Sequence, residues 1–114
     1  MSLDKNVTSD SVSSRPILEM ANAFQRSRVL LTAHELGLFT VINDQWKTSA
    51  EVAEALETDA RATDRLMNAL TALGLLEKRG GRFTNSSPAL EFLVKGRPEY
   101  MAGLGHTVHL WQTW

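Results

Sequence analysis

WKTSAEVAEALETDARATDRLMNALTALGLLEKRGGRFT, residues 46–84, is the stretch that decides the fold. Thr48 can cap a helix, and Glu51 three residues on completes a capping box. The helix that follows turns Val52, Ala53 and Leu56 inward. Glu57-Thr58-Asp59 makes a turn into a longer helix with Ala62, Leu66, Ala69, Leu70 and Leu73 on one face. Gly74 supplies its left-handed end. Leu75–Arg79 and Arg82–Thr84 are then the arms of a hairpin closed by Gly80-Gly81, a pair suited to the positive φ angles of a two-residue turn. Trp46-Lys47 reads as a brief strand beside that hairpin. Helix, tight turn, helix and hairpin is the order of a winged helix-turn-helix. The fold class is therefore mainly α, with a small β-hairpin and additional flanking helices.

Upstream, Pro16 fits the first turn of a helix, where its missing N–H is no loss. Apolar residues follow at Ile17, Met20, Ala21, Phe24 and Leu31, and again at Ala23, Leu30 and Ala33. These sets occupy more than one side of the helix, a wider stripe than a surface helix needs. A helix this apolar is either the centre of its own domain or packs on a second chain, and so thin a domain favours the second. Gly37 caps it, and His34 in its last turn predicts a partly cationic ring favoured by the helix dipole. Phe39–Ile42 is a short apolar segment before turn chemistry at Asn43-Asp44. Residues 1–15, rich in Ser, Asp, Asn and Thr, read as a disordered leader.

Downstream, Ser87-Pro88 opens another helix, with Ser87 as cap and Ala89, Leu90, Leu93 and Val94 apolar. Gly96 breaks it, and Pro98 begins a last helix carrying Met101, Leu104, Val108 and Trp111 on a single stripe. Gly103 and Gly105 lie within that stretch and permit close approach of a backbone or ligand. Ending on Trp114 in mid-helix, the chain reads as part of something longer. The division expected is a leader at 1–15, a pairing unit at 16–96 and the start of a linker helix at 97–114.

Composition narrows the function. A formal charge of −1 lacks the basic excess of a dedicated nucleic-acid binder. Without cysteine there is neither a disulfide framework nor a thiolate nucleophile. No apolar run reaches the length of a signal-peptide core or a membrane span, so a soluble cytoplasmic protein is the default expectation. His106 and His109 share a helical face but lack a third ligand, so no metal site is expected. Gly103-Leu104-Gly105 follows no strand and is not a nucleotide loop. No catalytic residue is assigned.

For DNA, the second helix of the motif offers Arg61, Asp64, Arg65, Asn68 and Thr71 outward, and the wing offers Lys78, Arg79 and Arg82. Asp59, Asp64 and Glu77 offset much of that charge. A salt-sensitive reader of DNA makes about 6–10 phosphate contacts. The motif is underpowered for that task, and a dimeric winged-helix transcription regulator is the alternative reading rather than the first. A third is a helical adaptor docking through its terminal stripe.

The run ILEMANAFQRSRVLLTAHELGLFTVI (17–42), the run KTSAEVAEALETDARATDRLMNALTALGLLEKRGGRFTNSSPALEFLV (47–94) and the terminal GLGHTVHLWQTW (103–114) together resemble one family. It is the N-terminal domain of S-adenosylmethionine-dependent O-methyltransferases of the caffeic-acid and hydroxyindole type. The resemblance covers residues 16–114. It implies a helical dimerisation domain whose first helices, around Ile17–Leu36, intertwine across a two-fold axis, and whose winged-helix part is scaffold. It further implies that the last helix leads into a separate catalytic domain and lines an acceptor pocket. On that match Leu104, Gly105 and His106 face an aromatic or polyketide-like substrate, with Trp111 close by. The cofactor loop and catalytic base of that family have no counterpart in these residues, so S-adenosylmethionine is implied for the longer parent and not for this chain.

Overall fold

The computed structural model describes residues 13–104. Expectations for residues 1–12 and 105–114 lie outside it. Helix α1 spans Arg15–Leu36, with Pro16 in its first turn and Ser14 at its N-terminus. Gly37 ends it at φ 80°, where its N–H reaches the carbonyls of Ala33 and His34. The apolar run after that glycine is a helix too, α2 (Leu38–Ile42), all but two of its side chains buried. Asn43 follows at φ 54°, and Gln45 N–H closes the turn on the Ile42 carbonyl at 3.1 Å.

Helix α3 (Ser49–Leu56) opens with the expected capping box: Glu51 N–H donates to Thr48 Oγ1 at 3.1 Å, and Thr48 N–H to Glu51 Oε1 at 2.8 Å. Its end is less favourable. Glu57 takes a left-handed φ of 58°, a conformation in which Cβ crowds the backbone and which glycine adopts freely. Glu57→Gly should therefore raise stability by roughly 0.5–1 kcal/mol, read as a higher urea midpoint at unchanged slope.

Helix α4 (Ala60–Ala72) starts at Asp59, whose carboxylate accepts from the N–H groups of Arg61 and Ala62. Gly74, at φ 82°, turns the chain out of it, and Leu75 N–H reaches back to the Leu70 carbonyl at 2.9 Å. The buried side of α4 is rotated from the expected one. Thr63, Met67 and Leu70 are buried, whereas Leu66, Ala69 and Leu73 are half-buried and Ala62 is exposed. Thr63 can occupy a core position because its hydroxyl pairs with that of Thr58 at 2.6 Å.

Strands β1 (Leu76–Arg79) and β2 (Arg82–Asn85) pair antiparallel, Arg79 opposite Arg82, around Gly80-Gly81 at φ 57° and 79°. The expected third strand shrinks to a bridge at Lys47, which exchanges both backbone hydrogen bonds with Phe83 at 2.8 and 2.9 Å. Helix α5 (Ser87–Phe92) begins one residue earlier than expected, with Ser86 at the N-cap position. Ser86 Oγ is engaged by the Leu75 carbonyl at 3.1 Å, so it gives α5 no side-chain cap.

The last helix does not begin at Pro98. Residues 98–103 turn back on α5, held by Met101 N–H on the Phe92 carbonyl at 2.8 Å, and helical geometry starts only at Leu104. The core that all these elements enclose includes Ala33, Leu38, Phe39, Ile42, Met67 and Phe83. Asn85, only 7% exposed, fastens it by donating from Nδ2 to the carbonyls of Phe39 and Asn43 at 2.9 and 2.8 Å.

Candidate functional site

Helix α1 joins the core only at its C-terminal end, through Ala33 and flanking Val29 and Leu30. At about 100° per residue, Ile17, Met20 and Ala21 share one side of its N-terminal half, and no charged residue falls on that side from Ile17 to Phe24. Ile17 and Met20 are each 67% exposed, and neighbouring Leu18 is 57% exposed. The opposite side of the same helix faces α4. There Asn22, Arg26 and Val29 form one wall of an open groove of about 320 Å³, and Ala69, Ala72 and Leu73 form the other. The helix thus shows its more polar side to its own domain and its apolar side outward. A contiguous apolar patch of this kind marks an interaction surface rather than a stray exposed side chain.

The face that would meet DNA is arranged differently. Ser49 Oγ donates to Asp64 Oδ1 at 2.7 Å. Asn68 Nδ2 donates to Asp64 Oδ2 at 3.1 Å and to the Asp64 carbonyl at 2.9 Å. Lys78 Nζ then donates to Asn68 Oδ1 at 2.9 Å and lies 5.0 Å from the centre of the Phe83 ring. One hydrogen-bonded chain therefore runs from α3 across α4 to β1. The wing arginines are also occupied: Arg79 sits 5.4 Å over the Trp46 ring, and Arg82 lies 3.6 Å from Glu51. Asp64 and Asn68, expected outward, are half-buried in this network. The sequence signal that could have revealed it is the four-residue spacing of Asp64 and Asn68 on one helical face.

Of the expected pocket residues, Leu104 is half-buried and packs against the core. Gly105, His106 and Trp111, like His109, lie outside the described residues. Among the described residues no three His, Cys, Asp or Glu side chains gather as metal ligands. No described helix is long and apolar enough to cross a membrane.

His34 departs from the cationic expectation, because burial pushes its imidazole below the ordinary value of 6.5. Its ring lies 6.0 Å from that of Tyr100. Glu51 is held below 4.5, chiefly by the Thr48 N–H it accepts, with the Arg82 charge adding to this. The unfolded chain therefore binds more protons than the folded chain just below pH 6.5, and stability from His34 falls as pH drops through that window. Urea midpoints measured from pH 7.5 to 5.5 should decline, and His34→Phe should flatten the decline. Loss through Glu51 belongs to a separate window, below pH 4.5.

Residues 18–95 match the family model of the O-methyltransferase dimerisation domain. The N,N-dimethyltransferase OxyT of Streptomyces rimosus is 36% identical over 102 residues, 88% of this chain and 30% of that protein. The 3-hydroxy-5-methyl-1-naphthoate 3-O-methyltransferase of Streptomyces sahachiroi is 36% identical over 87 residues, 76% of this chain and 25% of that protein. A solved structure of PigF with SAH superposes with a TM-score of 0.78 at 26% identity, over 90% of this chain and 32% of that one. PigF of Serratia is an S-adenosyl-L-methionine-dependent methyl transferase. The chain spans about a third or less of the length of each of these proteins.

Proposed function

The chain belongs to the O-methyltransferase dimerisation-domain family, and from that premise we propose that it pairs two copies of a small-molecule, S-adenosylmethionine-dependent O-methyltransferase. The observation that carries this reading is the exposed apolar side of α1, turned away from its own domain at Ile17 and Met20. Residues 16–96 are the pairing unit in this proposal, and 97–114 the beginning of a linker toward the catalytic part. Leu104, Gly105, His106 and Trp111 form one wall of the acceptor pocket. The naphthoate hydroxyl named for one relative supports an aromatic acceptor, and the SAH in the PigF structure supports the cofactor.

Bound S-adenosylmethionine would supply the methyl group. The described residues contain no strand–glycine-loop–helix segment to hold it, since Gly80-Gly81 closes a hairpin. In this reading the chemistry belongs to the catalytic part of the parent. The domain contributes pairing and the placing of one pocket wall, effects of proximity and orientation. A cytoplasmic location fits a chain with no cysteine and no described membrane-crossing helix.

The whole protein in which these residues stand should transfer isotopic methyl from S-adenosylmethionine to the oxygen of a phenolic acceptor. Failure across a broad phenol panel would contradict the enzymatic part of the reading. The regulator alternative is separated by fluorescence anisotropy with mixed-sequence duplexes at low salt. No binding is expected, because Asp59, Asp64 and Glu77 offset much of the basic charge on that face.

A further inference from the structure

We propose that the segment from Lys95 to Met101 is a strap over the corner between α1 and α2, and that a proton on His34 releases it. Polar and ring contacts hold the strap down. Lys95 N–H donates to Thr40 Oγ1 on α2 at 3.0 Å. Arg97 Nη2 donates to Asn43 Oδ1, just past the end of α2, at 3.2 Å. The Tyr100 ring lies 6.0 Å from that of His34, in the last turn of α1, with 31° between their planes. Met101 N–H closes the fold-back on the Phe92 carbonyl at 2.8 Å. Among these partners, His34 is the side chain of a type that changes charge between about pH 5 and 8.

Beside the two rings, an open cavity of about 370 Å³ lies between the strap and the α1–α2 corner. His34 and Lys95 both line it, and no carboxylate among the described residues does. Helix α2 brings no titratable side chain, and α5 gives way there to the apolar Leu93. On the strap itself, Arg97 is held by Asn43, and Glu99 lines a different groove with Glu91 of α5. Glu35, next to His34 on α1, is exposed. An imidazolium in this space would share it with the Lys95 cation and gain no carboxylate partner. The dipole of α1 favours a cation at that end, yet burial holds the ring below its ordinary value of 6.5. With the strap lifted, the ring regains water and binds its proton at the ordinary value. Docking is therefore at full strength above pH 6.5 and weakens as pH falls from there to the lower value of the docked ring. One consequence rests on the reading of residues 97–114 as the start of a linker: release in mild acid loosens the join between the pairing unit and the catalytic part.

Proton NMR titration of the 114-residue chain should place His34 below 6.5, and Tyr100→Ala should return it toward that value. Exchange protection of the Met101 amide should fall from pH 7.5 to 5.5, as His34 takes up its proton. Its full loss should be a factor of ten raised to the difference between those two pKa values. The Leu75 amide, bonded to the Leu70 carbonyl at 2.9 Å, should stay better protected throughout, which marks the opening as local. His34→Gln should hold Met101 protection constant across the same range. A Met101 amide indifferent to pH in the parent, or a pH response that survives His34→Gln, overturns the proposal. So does a His34 pKa that stays or falls in Tyr100→Ala, since the ring would then not be what keeps the cation out. These readings need neither a dimer nor methyl transfer, so the strap can fail while the pairing and enzymatic roles stand, and the reverse.

Discussion

Phe83→Ala should lower the folding stability of the domain by about 3–5 kcal/mol, the usual loss for emptying a fully buried phenylalanine site. Phe83 is 1% exposed and lies in the core with Phe39, Met67 and Leu70. Its backbone also carries both hydrogen bonds to Lys47, so the cavity would form beneath the only link between the hairpin and residue 47 found among the described residues. A domain of this size has about 5–15 kcal/mol in total. The variant should therefore unfold at a far lower urea concentration or fail to fold at 37 °C. A midpoint shift corresponding to less than about 1 kcal/mol, the level typical of surface changes, would contradict this placement of the core.

The second large effect concerns association. Ile17→Asp with Met20→Asp should leave the monomer folded, because both side chains are exposed in it. In the dimer each carboxylate would be desolvated without a partner, at a cost of about 3–5 kcal/mol per uncompensated charge. That is more than a hundredfold in dissociation constant. Size-exclusion chromatography with light scattering at micromolar concentration should show the variant as monomer, with an unchanged far-UV spectrum. Persistence of the dimer would move the interface away from α1.

Much of the fold could be read from residues whose local chemistry admits one outcome. Thr48 with Glu51, Gly37, Gly74 and Gly80-Gly81 each set a boundary, and each lies where expected. The misplacements occur where local rules compete. Pro98 suits a helix start, yet the fold-back of Met101 onto Phe92 delays the helix to Leu104. Ser86 and Ser87 are equally good caps by type, and the Leu75 carbonyl takes Ser86. Helix α4 carries apolar residues on two sides, and composition could not say which one its own core would use. His34 illustrates a different limit, since the helix dipole favours its cation while burial, visible only in three dimensions, favours the neutral ring.

The exposed apolar side of α1 was legible as surplus. The sequence around Ile17–Leu36 is too apolar for one thin domain, but which side stays uncovered depends on how α1 docks on α4, a tertiary fact. Conversely, Asp64, Asn68 and Lys78, expected to face outward, hydrogen-bond one another and Ser49. A chain of hydrogen bonds thereby links α3, α4 and β1.

Equilibrium sedimentation of the 114-residue chain, from high nanomolar to tens of micromolar, tests the central claim most directly. A reversible species of twice the 12.7 kDa chain mass, lost in the Ile17→Asp/Met20→Asp variant, is the predicted result. A single species at 12.7 kDa across the whole range would contradict it.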